Sequence, residues 1–343
     1  MKKILLALLV VVMLPCLTFG AETKSIKVGF VISALNEPIF QAYQDYVGEA
    51  VEAAGKAAGY EIEYVAVTSD GAINQENANV KDMISAGCNY IVLNTIDSKA
   101  CFASIEEAHA AGVKVIMFCR EADASATGSE KPDATVNMDS YDQAYTSMKR
   151  TLEYMKQDGV EVVNFISIMG YMQDQNAINR QQGVEDACKE AGIKIATTVS
   201  CGQWDPSTAL TNLTTALQTY PDSNFVYTPS DSQLPGVQTA LERAGKWAKR
   251  GEKNHVYLAG TDVFPDGYKY IAQKYEEAST ENPVWLCAEK TADIIITLEK
   301  GEKLAEDGFF KIKGRVFDQE NYKTFDHVWA KDYSGEDLKV FDK

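Results

Sequence analysis

The chain has 343 residues, 45% of them hydrophobic, and a formal net charge of −16. That length and apolar content suit two globular domains of ordinary size, each with a sizeable core. The acidity sets nucleic acid and anionic lipid aside as partners, because their phosphates would repel such a chain.

The N-terminus reads as an export signal. Lys2 and Lys3 precede an almost unbroken hydrocarbon run from Ile4 to Leu14, and Thr18-Phe19-Gly20 offers small residues where a signal peptidase reads. Cleavage is expected near Ala21, which would leave about 320 residues and remove two lysines, taking the net charge to −18. A membrane anchor fits less well, since the run is shorter than the ~20 residues a spanning helix needs. Lipid attachment at Cys16 is a third reading, and Pro15 beside it argues against that.

Past the leader one unit repeats: an alanine-rich amphipathic segment, a glycine, then a β-branched run. Ala57-Ala58-Gly59, Ser85-Ala86-Gly87, Ala110-Ala111-Gly112 and Glu190-Ala191-Gly192 mark four such junctions. Glycine there ends a helix in the left-handed conformation, and short apolar runs read as parallel strands covered on both faces. Strands are expected near 26–33, 60–67, 90–94, 113–118, 161–168, 193–200, 224–228, 255–260 and 283–287. Helices are expected near 38–57, 73–86, 98–111, 141–157, 175–191, 206–219, 231–248, 265–277 and 288–300. A Ser/Thr/Gly/Pro-dense pause over 122–139 separates two runs, which predicts an α/β fold of two doubly wound parallel-sheet domains. Ligands bind such sheets at the carboxyl ends of the strands, so two facing edges would form a cleft.

Catalytic signatures are absent: there is no GxSxG, HExxH, Walker A loop or GxGxxG turn. The histidines, His109, His255 and His327, have no metal-ligand spacing and read as surface or capping residues. Neither an enzyme, a metal nor a cofactor is expected. Cys88, Cys101, Cys119, Cys188, Cys201 and Cys287 show no paired framework and are read as buried free thiols, although an even count after export permits disulfides.

The chemistry that remains lies just after the strands. Ser33 and Glu37-Pro38-Ile39-Phe40 follow the first strand, Asn94 the third, Arg120 the fourth, and Gln203-Trp204-Asp205 the sixth; Asp262 follows the eighth, and Arg180 lies in the segment after Met169. This mixture suits a sugar. Flat rings such as Phe40 and Trp204 cover the apolar faces of a pyranose, and Glu37, Arg120, Arg180 and Asp262 offer charge-assisted hydrogen bonds to its hydroxyls. Asp97, Asp205 and Asp231 stand immediately before helices and read as N-caps.

These segments together resemble the ribose/galactose-type periplasmic binding proteins, the type I substrate-binding subunits of ATP-binding-cassette (ABC) sugar importers. The resemblance runs through Leu35–Phe40, Gln75-Glu76-Asn77, Met83–Asp97, Val113–Arg120, Asn176–Gly183, Gln203-Trp204-Asp205 and Gly260-Thr261-Asp262 with Pro265-Asp266-Gly267. It implies two similar domains, 25–137 plus 288–313 and 138–287 plus 314–343, joined by a three-segment hinge with crossings near 136–139, 286–289 and 312–316. It implies that Phe40 and Trp204 sandwich a monosaccharide while Arg120, Arg180 and Asp262 bond its hydroxyls, with Asn94 nearby; Ser33, Glu37, Ser230 and Glu289 complete the expected set. The partners implied are the permease of an ABC importer and a chemoreceptor, for a monomeric protein. Three departures leave the ligand open among pentose, hexose, polyol and nucleoside-like molecules. Cys119 stands where many relatives carry Asp or Asn, Ser230 replaces a stronger partner, and Cys287-Ala288-Glu289 stands where an amide is usual. An alternative is a binding protein that feeds a receptor without an importer.

Overall fold

A computed structural model describes residues 24–342; the expected leader, its cleavage site and Cys16 lie outside the described residues. The chain first lays down β1 (Ser25–Ile32), α1 (Pro38–Ala58), β2 (Glu61–Thr68), α2 (Ile73–Ser85), β3 (Tyr90–Leu93), α3 (Phe102–Ala110), β4 (Lys114–Phe118) and β5 (Ala134–Met138). A second run follows with α4 (Ser140–Gln157), β6 (Phe165–Met169), α5 (Gln175–Ala191), β7 (Ile195–Ser200), α6 (Pro206–Thr219), β8 (Phe225–Tyr227), α7 (Leu234–Arg243), β9 (Tyr257–Asp262), α8 (Pro265–Ala272) and β10 (Ala278–Glu281). The chain then adds α9 (Val284–Glu299), β11 (Phe309–Ile312), β12 (Val316–Asp318) and α10 (Trp329–Asp332).

The strands form two sheets, β11-β5-β4-β3-β1-β2 and β12-β10-β9-β8-β6-β7. All pairings are parallel except β10 with β12. Each sheet therefore winds outward in both directions from its first strand, β1 or β6, the arrangement that opens a crevice at the carboxyl ends. The inner strands are apolar because helices cover both faces: β1 buries six of its eight residues, whereas edge strand β2 buries none fully. Gly59 and Gly192 close α1 and α5 with φ of 81° and 69°, the left-handed stop expected from the repeat.

The structure corrects several elements. Residues 283–287, expected as a strand, open helix α9, whose inner face packs on α1. The strand is β10, immediately upstream, in the gap between the expected helix 265–277 and the expected strand 283–287. Its residues are Ala-Ser-Thr-Glu, polar yet buried, because partners satisfy them: Ser279 donates to Asp231, Thr280 meets Thr146 at 2.9 Å, and Glu281 pairs with Arg315. Strand β5 lies inside the stretch expected as a pause, and the short β11 and β12 were not expected. His255 is no surface residue. Its ring sits between the Ala248 carbonyl at 2.7 Å and Glu277 at 3.0 Å. Burial opposes its charge, but those acceptors raise its pKa. The six described cysteines are free and buried, as expected.

Three passages between the sheets lie side by side. Asp139 N–H donates to the Ile312 carbonyl at 2.9 Å, and Asn282 stands where β10 gives way to α9. In the third, Gly314 lies against Glu281, where a Cβ would come within 2.1 Å of the Glu281 carbonyl oxygen. The tail then crosses back over both lobes. Tyr333 donates to Asp45 at 3.1 Å and His327 stacks edge-on against Trp285 on one side. On the other side Trp329 meets Phe264 edge-on, and Tyr268 donates to Asp342. Trp329 is 1% exposed within a core cluster that draws residues from both lobes. Trp329→Ala is expected to cost about 3–5 kcal/mol, the range for emptying a buried aromatic site, read as a lowered urea midpoint with an unchanged slope.

Candidate functional site

The carboxyl ends of the two sheets face each other across a cavity of about 180 Å³. Drug-sized ligands occupy roughly 300–1,000 Å³, so this space suits a smaller molecule. From the first lobe come Ser33, Glu37 and Phe40 after β1 and Arg120 after β4; from the second come Arg180 on α5, Trp204 after β7, Ser230 after β8 and Asp262 at the end of β9. Eight of the ten residues expected from sequence thus line one space. Asn94 stands behind it, fully buried, accepting from Ser33 Oγ at 2.7 Å and donating to the Phe118 carbonyl at 2.9 Å. Its role in the fold is to hold the ends of β1 and β4 beside β3. Glu289 is elsewhere, exposed on α9 over a groove against α1. That displacement follows from the misplaced strand. The amide expected near 287–289 is supplied by Asn282, directly after the true β10.

Arg180 and Asp262 form the polar floor. The pair is nearly fully buried, with Arg180 Nη2 donating to Asp262 Oδ1 at 2.5 Å. Arg180 also donates from Nε and Nη2 to Gln143 Oε1, at 3.2 and 2.8 Å, and from Nη1 to the Pro229 carbonyl at 2.7 Å. Four of its five N–H groups are thereby directed within the protein, and one on Nη1 remains. Asp262 keeps its second carboxylate oxygen for another donor. Its backbone is left-handed, with φ of 92°, and Val263 follows at 54°. A β-branched residue rarely adopts that conformation, and such strain concentrates where a fold must aim particular side chains. Cys119 and Trp204, also at the cavity, share it with φ of 52° and 58°.

Trp204 is held as a flat wall. Its Nε1–H donates to Asp174 Oδ2 at 3.2 Å, Arg180 lies 5.9 Å from its ring centre, and its ring edge covers Gly170, where a Cβ would come within 2.3 Å. Phe40 packs edge-on against Tyr43 at 5.9 Å.

Besides the second Asp262 oxygen, Asn282 Oδ1 and the Glu37 carboxylate at the cavity lack protein donors among the described residues. Asn282 donates from Nδ2 to Tyr43 Oη at 2.8 Å, but its buried Oδ1 accepts nothing. Glu37 stands at the N-cap of α1 and makes no side-chain capping bond to it. Burial first, and then the charge of Asp262, push its carboxyl up to about 7, against the opposing pull of Arg120.

The lobes are drawn together over this space. Arg120 Nε lies 3.3 Å from Asp174 Oδ2, Asn176 donates to the Cys119 carbonyl at 2.9 Å, Asn179 donates to Glu121 at 2.8 Å, and Ser98 N–H donates to the Gln173 carbonyl at 3.0 Å. Asp174, Asn282 and Tyr43 escaped the sequence reading. Only Asp174 left a trace, as a helix N-cap that accepts from Asn176 N–H at 3.0 Å. Of the expected N-caps, Asp205 caps α6 through Ser207 and Thr208, whose hydroxyls and amides lower its carboxyl to about 2. Asp97 accepts from Lys99 and Ala100 N–H in the turn before α3. Asp231 caps no helix. Its buried carboxyl accepts from Phe264 N–H at 3.0 Å and so fixes the turn after Asp262.

The arrangement has counterparts among known proteins. A family model described as the periplasmic binding protein domain matches residues 28–303. The ribose import binding protein of Escherichia coli K12 is 25% identical over 307 residues, covering 89% of this chain and 95% of that protein. The D-apiose import binding protein of Paraburkholderia graminis is 24% identical over 274 residues, covering 80% and 81%. A solved ABC transporter solute-binding protein from Actinobacillus succinogenes with bound D-allose superimposes with a TM-score of 0.73 at 20% identity, covering 88% of this chain and all of that one. The two facing sheets and the matched residues agree: the chain belongs to the periplasmic binding protein family, as a substrate-binding protein of ribose/galactose type and not an enzyme.

Proposed function

We propose that the protein captures a monosaccharide between its lobes and delivers it to the permease of an ABC importer. The observation that carries this reading is the cavity itself: a small space with acceptors lacking protein donors, the buried Arg180, and aromatic side chains that include Phe40 and Trp204. A pyranose or furanose matches it, because ring hydroxyls supply the donors that Asn282 Oδ1, Glu37 and Asp262 accept, and the apolar ring faces lie against Phe40 and Trp204. The lobes, expected as 25–137 plus 288–313 and 138–287 plus 314–343, meet at a second crossing that falls at Asn282, between β10 and α9, upstream of the expected 286–289, and they close about the three crossings. A ligand that touches both stabilises the closed form, which the permease would recognise. The leader would place the protein in the periplasm, and the relatives named as import proteins support that setting. Among the described residues no helix is long and apolar enough to cross a membrane.

A thermal-shift screen of the exported protein against pentoses, hexoses, polyols, nucleosides and amino acids tests the class directly. A ligand that binds only the folded state raises the melting temperature. One monosaccharide is expected to give a clear rise; rises confined to nucleosides or amino acids would overturn the reading. Trp204→Ala is expected to weaken that ligand by about 1–3 kcal/mol, the scale of an aromatic face lost from a buried contact, with the circular dichroism spectrum unchanged.

Glu37 makes the binding pH-dependent. A ligand hydroxyl donates to the carboxylate, so ligand and proton compete below pH about 7. Affinity measured by calorimetry is expected to fall as pH drops from 7 towards 5.5, and Glu37→Gln to flatten that profile. Without ligand the sign reverses. The folded carboxyl holds its proton up to about 7 and the unfolded one only to an ordinary 4.5, so this group's contribution to stability declines as pH rises between those values.

A further inference from the structure

A second, larger space of about 560 Å³ lies beside the sugar cavity. The two spaces share Asn36, Glu37, Gln203, Trp204, Ser232 and Phe264, so one wall of side chains divides them and they meet around it. The inner space is about a third as large.

Turn residues and the C-terminal tail build the outer chamber. Pro206, Pro235 and Pro265 begin or nearly begin helices α6, α7 and α8, and their rings give it rigid apolar walls. The far side is the tail segment Tyr333 to Leu338. Both ends of that segment are fastened, at Tyr333 by Asp45 of the first lobe and at the buried Leu338 within the core. The tail is therefore a built wall. Gly335 on this wall is exposed, and a Cβ there would meet nothing within 4 Å, so the position has room for a larger side chain.

The charges select among occupants. Lys269 is held by Asp266 at 3.1 Å and Glu336 at 3.6 Å, while Asp205 spends its carboxylate on α6. The acidic groups outnumber the single lysine, and an anionic substituent would be repelled. Polar rims over proline and aromatic faces suit a neutral polyhydroxylated ring, the same chemistry as in the inner space.

Resting on the proposed sugar-binding function, we propose that the outer chamber is a second sugar subsite, which lets the protein take a neutral disaccharide or glycoside as well as a monosaccharide, with the first ring in the inner cavity. The glycosidic link passes the shared wall beside Trp204 and Phe264, and the second ring lies against the tail.

Calorimetric titration tests this with glucose and galactose against maltose, cellobiose, lactose and melibiose. At least one disaccharide is expected to bind tenfold or more tightly than its component monosaccharides. Gly335→Trp, which adds a large ring to the tail wall, is expected to abolish that gain and leave monosaccharide affinity within twofold; Glu336→Trp, at an exposed position on the same wall, serves if the first variant does not fold. Disaccharides that bind no better than monosaccharides overturn the subsite and leave the monosaccharide function standing. A gain that survives both filling variants overturns it as well. Binding of neither class overturns both, and binding of a disaccharide alone upholds the subsite while replacing the monosaccharide as the ligand.

Discussion

The buried pair of Arg180 and Asp262 is the constraint around which the cleft is arranged. Two charges removed from water are costly unless their remaining donors and acceptors are satisfied. Gln143 and the Pro229 carbonyl take three more of the Arg180 donors, which ties helices α4 and α5 to the ends of β8 and β9 and leaves one Nη1 N–H for the cavity. Asp231 then anchors Phe264, and the left-handed Asp262 and Val263 turn the chain so that one carboxylate oxygen faces the cavity. The site is rigid on this side because moving any one member would strand a buried polar group.

The first lobe contributes fewer fixed charges. Asn94 supports Ser33, and Glu76 accepts from Thr95 Oγ1 and Ile96 N–H, both at 2.7 Å, to hold the loop after β3. Glu37 and Arg120 project from this support. The cleft is thus asymmetric, with the buried Arg180–Asp262 pair as a floor on the second lobe and, on the first, Arg120 held by the Thr95 carbonyl at 2.9 Å beside a Glu37 without a partner among the described residues. Contacts between the lobes concentrate on the N-terminal end of α5, where Asp174, Asn176 and Asn179 reach the first lobe through Arg120, the Cys119 carbonyl and Glu121. One helix start therefore both presents Arg180 and carries much of the closure, which couples the floor of the site to the relative position of the lobes.

Much of this was legible in the sequence. Glycine-terminated helices and β-branched runs state a local conformational preference, and their alternation allowed one parallel-sheet class. Because parallel sheets bind at their carboxyl ends, residues immediately after strands were candidates, and Ser33, Glu37, Phe40, Arg120, Trp204 and Asp262 all reached the cavity on that ground, while Ser230 came from the family resemblance. The signal failed where burial was polar. Strand β10 carries no apolar run because Asp231, Thr146 and Arg315 satisfy its side chains, and all of these are remote in sequence. Reading Val284-Trp285-Leu286 as that strand moved the expected amide to the wrong side of the crossing, so Glu289 was included and Asn282 missed.

What the sequence determined by itself was the class of element at most positions and the strand ends where chemistry could gather, since both follow from periodicity and turn residues within a few positions. Tertiary structure alone decided which polar residues share a cavity, that Asn94 stands behind the site, that Asp231 braces a turn and caps no helix, and that the tail walls a second chamber. These outcomes depend on pairing between groups separated by tens to hundreds of residues. Desolvation makes such pairing compulsory once the groups are buried, and no local pattern records it.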